Sequence, residues 1–449
     1  MSISRRDALK VGFSSLAYYS TLATTPNWIS RSAHALGDSS ANDDRILVIL
    51  QQAGGNDGLN TVIPYTDDQY RIARPALGVP LGRQLTIDSL NGFHPRLPRL
   101  ADRFLDKGQI GVVQCVGYVN PNLSHFSSMD FYEFGMIPGE AAPSSGWMAR
   151  FFDNTCAGLG EVNPLAITAA GIPRVPDCFK GIAGYSPPAI SKTHNYALQA
   201  DTDGDARLAA VHAVNSIATT DPDLDFLQRS ENQTEASIQD LQTAAAQPTL
   251  VPETDYTDDS LGRGLKLISQ IIRAGFSTRI FYASQGGYDT HGVQVNLGDP
   301  LKAGEHPRLL GAFDTSVNAF LTEMELSGNI DRVLVMTFSE FGRRVRENGS
   351  GSRRGTDHGA ANCLFVMGGQ VRGGVYGGQP DLTDLIKGNL KHKIDFRSVY
   401  AKVIEGWLGG RATTVFDDAI YNGVIRSELA ELAFLKSDAS VGRNRRRRF

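Results

Sequence analysis

Four short apolar runs, at residues 46–50, 110–116, 279–283 and 332–337, are the strongest constraint that this chain places on its fold. Runs of this length and composition read as strands buried on both faces. A fifth candidate lies at 363–367. Between the runs, apolar residues recur at helical spacing. Leu261, Leu265, Ile268, Ile271 and Ile272 make one face, closed by Gly275 just before the third run. Leu310, Phe313, Val317, Phe320, Leu321 and Met324 make a second, closed by Gly328 before the fourth. Phe396, Val399, Tyr400, Val403, Ile404 and Trp407 make a last one, ended by Gly409-Gly410. Strand and helix in alternation predict an α/β fold, a mainly parallel central sheet with helices on both faces. With 41% hydrophobic residues, a chain of 449 can fill such a core.

The N-terminus has a different character. Ser4-Arg5-Arg6-Asp7 precedes a weakly apolar stretch at 11–23, and Ala33-His34-Ala35 supplies an A-x-A cleavage pattern. That order predicts a twin-arginine signal over residues 1–35, export to the periplasm or beyond, and the twin-arginine machinery as a partner. Ser14, Ser15, Ser20 and Thr21 interrupt the stretch, and no later run reaches about 18 uninterrupted apolar residues, so the mature chain is expected to lack a transmembrane segment. One domain is expected over 36–435. Within it, about 197–259 is polar and rich in Asp, Thr, Gln and Ala, and reads as a helical insertion or cap. Residues 436–449 end in a basic run that reads as a solvated tail. The net charge of −4 gives no sign of a nucleic-acid partner. No cysteine pair has metal-site spacing. Cys115 and Cys363 sit in strand-like runs and read as buried thiols, whereas Cys156 and Cys178 lie in loop-rich sequence, where a disulfide is an open option.

The chemistry lies just beyond the strands. After the first come Gly54-Gly55-Asn56-Asp57-Gly58, and after the second Asn120-Pro121-Asn122-Leu123-Ser124-His125. After the third come Gly286-Gly287-Tyr288-Asp289-Thr290-His291, and after the fourth Ser339-Glu340-Phe341-Gly342-Arg343-Arg344. Ligands bind beyond the carboxyl ends of the strands in an open α/β sheet, so these residues are expected at one edge. Gly355-Thr356-Asp357-His358-Gly359 precedes the fifth run. A lone Asp after a strand usually caps a helix, and a lone His is usually hydrogen-bonded filler. Five such segments at strand ends or glycine turns point instead to a metal site, because carboxylates and neutral imidazoles suit Zn²⁺, Mn²⁺ or Fe. If His291 and His358 share an ion, their ring nitrogens must lie within about 4 Å of each other.

These segments resemble those of an uncharacterised family of twin-arginine-exported proteins. The matching pieces are Gly54-Gly55-Asn56-Asp57-Gly58-Leu59-Asn60, Ser124-His125-Phe126, Gly146-Trp147, Asp289-Thr290-His291, Ser339-Glu340-Phe341-Gly342-Arg343 and Gly355-Thr356-Asp357-His358-Gly359. That family is grouped with the alkaline phosphatase and sulfatase superfamily. The resemblance implies an alkaline phosphatase-like fold, one or two divalent ions (Zn, Mn, Fe or Ca) and hydrolysis of a small anionic phosphate or sulfate ester. It implies metal ligands at Asp57, Asp289, His291, Glu340 and His358, with Asp357 beside them. Phe341 stands where the superfamily has a ligating His, which favours one ion over two. Ser124 is the available nucleophile, with His125 next to it, and Arg343 or Arg344 could grip the anionic group. Ser124 equally suits the N-cap of a helix starting at His125. Phe341 and Val119 favour an alternative, a catalytically impaired exported binding protein that keeps the fold. A serine hydrolase would need G-x-S-x-G and a dinucleotide enzyme G-x-G-x-x-G; neither motif is present at these turns.

Overall fold

The computed structural model describes residues 45–156 and 241–436, apart from residues 277, 297, 298, 300, 302, 351 and 352. Between those spans it describes segments 166–169, 175–181 and 189–190 and the single residues 213, 217 and 219. The predicted signal at 1–35, most of the predicted insertion and nearly all of the predicted tail lie outside the described residues.

In chain order the elements that build the site are β1 (Ile46–Gln52), α1 (Gly58–Thr61), β2 (Ile110–Gly117), α2 (His125–Phe134), α3 (Trp147–Cys156), β3 (Ala166–Ala169), β4 (Ala189–Ile190), α4 (Ser260–Arg273), β5 (Ile280–Gln285), α5 (Glu305–Leu326), β6 (Val333–Phe338), β7 (Asn362–Met367), β8 (Gly374–Tyr376), β9 (Ile394–Asp395) and α6 (Phe396–Val403). The strands form one nine-stranded sheet in the order β8-β2-β7-β6-β1-β5-β3-β4, with β9 beside one end of β2. β1 lies at its heart, parallel to β5 on one side and β6 on the other.

Strand β1 shows why a buried strand need not alternate polar and apolar residues. Ile46, Val48 and Leu50 face a layer that includes α4 and α5, while Leu47 and Ile49 face one that includes α3 and α6. The apolar stripes predicted for α4, α5 and α6 are all buried. Gly275, Gly328 and Gly409 end these helical segments with positive φ, the backbone region that costs glycine least. After Val403 the last helix continues as a wider π turn to Leu408.

The strand at 363–367 differs from the expectation of one more parallel member. β7 runs antiparallel to both β2 and β6. Parallel neighbours need a long crossover, usually a helix. None intervenes between Phe338 and Asn362 in the described residues; the chain loops at the edge where β6 ends and re-enters the sheet there. Asn362, at the start of β7, therefore pairs with Val116 near the end of β2.

Part of the predicted insertion, residues 241–259, lies within the described residues. Leu241, Val251 and Tyr256 join the core beneath α4 and α5. Cys115, Cys178 and Cys363 are free, buried thiols, and the side chain of Cys156 lies outside the described residues. No described helix is long and apolar enough to cross a membrane.

Candidate metal centre

The carboxyl ends of β1, β2, β5 and β6 and the start of β7 meet at one edge, and three histidines converge there. His291 and His358 approach to 2.9 Å between their Nε2 atoms, inside the limit for a shared ion. Asp289 Oδ1 lies 3.0 Å from His291 Nε2 and 3.3 Å from His358 Nε2. Asp289 Oδ2 lies 3.6 Å from His125 Nε2. His125, Asp289 and His358 form a candidate metal-binding cluster. Donors on a tetrahedral Zn²⁺ with bonds near 2.0 Å stand about 3.3 Å apart, and these separations bracket that value.

Each imidazole is fixed through its other nitrogen. His125 Nδ1 lies 2.8 Å from Glu340 Oε1, His358 Nδ1 2.7 Å from the Leu123 carbonyl, and His291 Nδ1 3.2 Å from Asp357 Oδ1. A carboxylate or carbonyl only accepts, so each Nδ1 must donate its proton. In the neutral ring the lone pair is then on Nε2, and all three Nε2 atoms face Asp289. His125 Nε2 is buried with no hydrogen-bond partner, a donor atom waiting for an acceptor of electron density. His125 Nε2, His358 Nε2 and the Asp289 carboxylate lie within 4.8 Å of one another and fit a divalent ion, and His291 Nε2 stands beside them, 2.9 Å from His358 Nε2.

The local sequence explains this convergence. Gly54 and Gly55 have positive φ, and a Cβ on Gly54 would lie 2.4 Å from the Asp289 amide. A Cβ on Gly355 would lie 2.1 Å from the Thr290 carbonyl, so only glycine lets the segment before β7 lie on the Asp289–His291 turn. Phe341 is buried and packs its ring 4.8 Å from that of His125 and 4.6 Å from that of His358. It does not ligate; it is the wall against which both imidazoles pack, their own rings 4.4 Å apart.

Several expected ligands have other work. Glu340 accepts from His125 Nδ1, from the Gly54 amide at 2.8 Å and from Ser339 Oγ at 3.2 Å, so it aims a histidine. Asp357 aims His291 and accepts from Asn348 Nδ2 at 2.7 Å. Asp57 is turned into the core, where it pairs with buried Arg74 at 2.6 Å and accepts from Gln294. Arg343 is not a free anion clamp. Its guanidinium is buried against the carbonyls of Gly54, Gly55, Tyr288 and Thr356, and it holds Asp289 Oδ1 at 2.9 Å. Arg344 is exposed, and its amide donates to the Asp357 carbonyl at 3.0 Å. Ser124 is the N-cap residue of α2, but its side chain makes no capping bond and the residue is exposed.

Charge follows the same plan. Burial pushes the Asp289 carboxyl upward, but the Arg343 hydrogen bond and charge override it and hold the group below the usual carboxylate range. The hydrogen bond that His125 donates to Glu340 raises the His125 pKa. Burial lowers that of His358, whose Nδ1 partner is an uncharged carbonyl. Beneath the cluster, His306 is fully enclosed 3.1 Å from Asn56 Oδ1, and burial brings its pKa down to about 4.

Arg74, Asn348 and the Leu123 carbonyl were invisible to motif reasoning. A carbonyl has no sequence signature, and Arg74 lies in a helical region with no motif around it. The one available signal for Arg74 was that a buried Asp57 requires a cation.

The residues that build this cluster fall within one known family. The family described as "Protein of unknown function (DUF1501)" matches residues 105–398, more than half of the chain. The chain belongs to this family. The match takes in His125, Asp289, His291, Glu340 and His358, so the cluster of this DUF1501 protein lies inside the family's own span. Among curated proteins no match is found. Among solved structures, the chain is similar to an alkaline phosphatase superfamily protein from Vibrio parahaemolyticus (10% identity, 83% of this chain and 71% of that one, TM-score 0.33). It is also similar to a phosphonate monoester hydrolase from Silicibacter pomeroyi (10%, 85% and 77%, TM-score 0.36). A third is a sulfatase from Pseudoalteromonas sp. (12%, 91% and 72%, TM-score 0.33).

Two predictions come from these contacts. Removing the carboxylate that aims His125, in Glu340→Ala, is expected to weaken Zn²⁺ or Mn²⁺ binding by about 10–100-fold, as read by metal titration of the refolded, metal-free protein. The second concerns His306. Its folded pKa of about 4 lies below the unfolded value of 6.5, so the unfolded chain binds the extra proton between those pH values. Its stabilising contribution is complete above pH 6.5 and is lost as pH falls toward 4, by about 3 kcal/mol. Urea titrations at several pH values should show that slope in the native chain and a flatter one in His306→Asn.

Proposed function

We propose that this DUF1501 protein is an exported, metal-dependent hydrolase of phosphate or sulfate esters. One divalent ion would be held by His125, His291, His358 and Asp289. The observation that carries the reading is the tautomer-fixed convergence of three Nε2 atoms on the Asp289 carboxylate. Three nitrogen donors and one oxygen favour Zn²⁺, Mn²⁺ or Fe over Ca²⁺, which prefers an all-oxygen shell. Asp57 and Glu340 are committed to other partners, which supports one ion.

A divalent ion in this position supplies Lewis-acid polarisation of an ester oxygen. The protein's own residues do the rest. Glu340, Asp357 and the Leu123 carbonyl retain the three Nδ1 protons, so the Nε2 lone pairs stay aimed inward. Arg343 keeps Asp289 ionised at neutral pH. Arg344 offers an exposed guanidinium for the anionic oxygens of the substrate. Ser124, exposed at the start of α2 with its hydroxyl uncommitted to a cap, presents the nucleophile beside His125. Backbone N–H groups of that helix start favour an anion there. The twin arginines Arg5-Arg6 and the Ala33-His34-Ala35 pattern support export by the twin-arginine machinery to the periplasm or beyond.

One observation favours the alternative of a binding protein that lost its chemistry. The neighbour of Ser124, His125, turns its Nδ1 to Glu340, so that nitrogen does not serve as a general base for the Ser124 hydroxyl.

Elemental analysis should find about one divalent ion per chain in the native protein and little in His291→Ala or His358→Ala. Equal, negligible metal in all three would sink the metal assignment. If Ser124 attacks the ester, Ser124→Ala should lose at least about 10²-fold in kcat on an aryl phosphate or sulfate while keeping its metal. Undiminished turnover in that variant would remove Ser124 from the mechanism and leave water as the nucleophile.

A further inference from the structure

The rim of the cluster is two-sided. Phe126 is 86% exposed, Val293 59% and Val119 48%. Phe126 follows His125 on the first turn of α2, and Val293 lies two residues beyond His291. Val119 sits on the loop whose far end, Leu123, holds His358. Single exposed apolar side chains are ordinary. These three each lie within a few residues of a group that builds the cluster, so chain connectivity keeps them near its rim. Phe126 makes no ring contact among the described residues, so neither core packing nor stacking accounts for a Phe at that position. The segment from Arg344 to Arg346 is cationic instead. Arg344 and Arg346 are both exposed, with buried Val345 between them, so they share one side of their segment. The Arg344 amide pairs with the Asp357 carbonyl, which places this segment against the support of His291.

We infer that the site takes anionic esters of a large apolar alcohol or phenol. The anionic head lies between the cluster and Arg344, and the apolar group covers Phe126, Val119 and Val293. This rests on the metal-centre reading and adds the identity of the leaving group. A water-exposed aromatic has its whole face available, so covering it releases ordered water and rewards an apolar substrate over a small one. The charged side admits only a head that arginine can grip.

The test is equilibrium binding, measured by calorimetry on Zn²⁺-loaded protein with phenylphosphonate and methylphosphonate, which share a head and differ in the apolar group. The native protein is expected to bind phenylphosphonate at least about tenfold more tightly. Phe126→Ala should abolish most of that preference, Phe126→Leu should restore part of it, and both should keep the native metal content and methylphosphonate affinity. Phe126 is exposed, so neither variant endangers the fold. Equal affinity of the native protein for the two phosphonates would overturn the inference and leave the metal-centre reading intact. Failure to bind either one would overturn the inference and the ester-hydrolase reading together, while the metal assignment stands or falls by elemental analysis. A preference unchanged in Phe126→Ala would also overturn it. Loss of anionic-vesicle binding in that variant would then assign the patch to a membrane surface.

Discussion

Arg343 is the contact on which the candidate site depends. Its guanidinium reaches carbonyls from three separate strand-end segments, those following β1 and β5 and the one preceding β7, and it also holds the Asp289 carboxylate. Turns at strand ends carry backbone carbonyls with no ladder partners, and burying them unpaired is costly. A single planar group with donors fanned in fixed directions satisfies them together. The consequence is geometric. Asp289 is the carboxylate among these acceptors, so swinging away from the histidines would part a buried guanidinium from its counter-charge, and the carboxylate is held in place before any ligand arrives. Lysine could match the charge but not the fan of donors.

Topology supplies the other half. His125, Asp289 and His291 arrive in the ordinary way of an α/β fold, on segments that leave the carboxyl ends of parallel strands. His358 precedes its strand, and in an all-parallel sheet it would lie at the opposite edge. The reversal of β7 brings it back. Gly342 and Gly359 then clamp the two sides of the loop: the Gly359 amide donates to the Gly342 carbonyl at 2.9 Å, and a Cβ on Gly359 would lie 2.2 Å from the Arg343 backbone. The Gly-Thr-Asp-His-Gly segment is thus readable as a place where backbone meets backbone, with a histidine carried between.

That reversal also marks where sequence reading stopped. The strands, the helix faces and the edge bearing the chemistry were legible because burial leaves periodic apolar residues and strand ends leave glycines. His291 and His358 were legible as a pair. The division between donors that face the cluster and groups that aim them was not, because both jobs use Asp, Glu and His. Glu340 and Asp357 have the chemistry of ligands and act on Nδ1 atoms instead. His125, expected as a companion to Ser124, contributes the third inward-facing nitrogen. Asp57 follows a strand as a ligand would, yet α1 and Arg74 turn its carboxylate inward. Phe341 looked like damage to a ligand set and is a wall that supports two rings.

The three aiming groups are not equivalent, and their differences set the character of each donor. Glu340 is a buried carboxylate, and its hydrogen bond to Nδ1 raises the affinity of His125 for a proton. The same pull raises the basicity of Nε2 toward a cation, so proton and cation compete directly at His125. His358 leans on a neutral carbonyl and is desolvated, so it is uncharged at neutral pH and its lone pair is free. Asp289, held ionised by Arg343, supplies the negative charge that a divalent cation needs among otherwise neutral nitrogens. One strongly basic donor, one readily available donor and one fixed charge within a few ångströms favour a small divalent cation over a second proton, because only the cation can engage all the lone pairs at once.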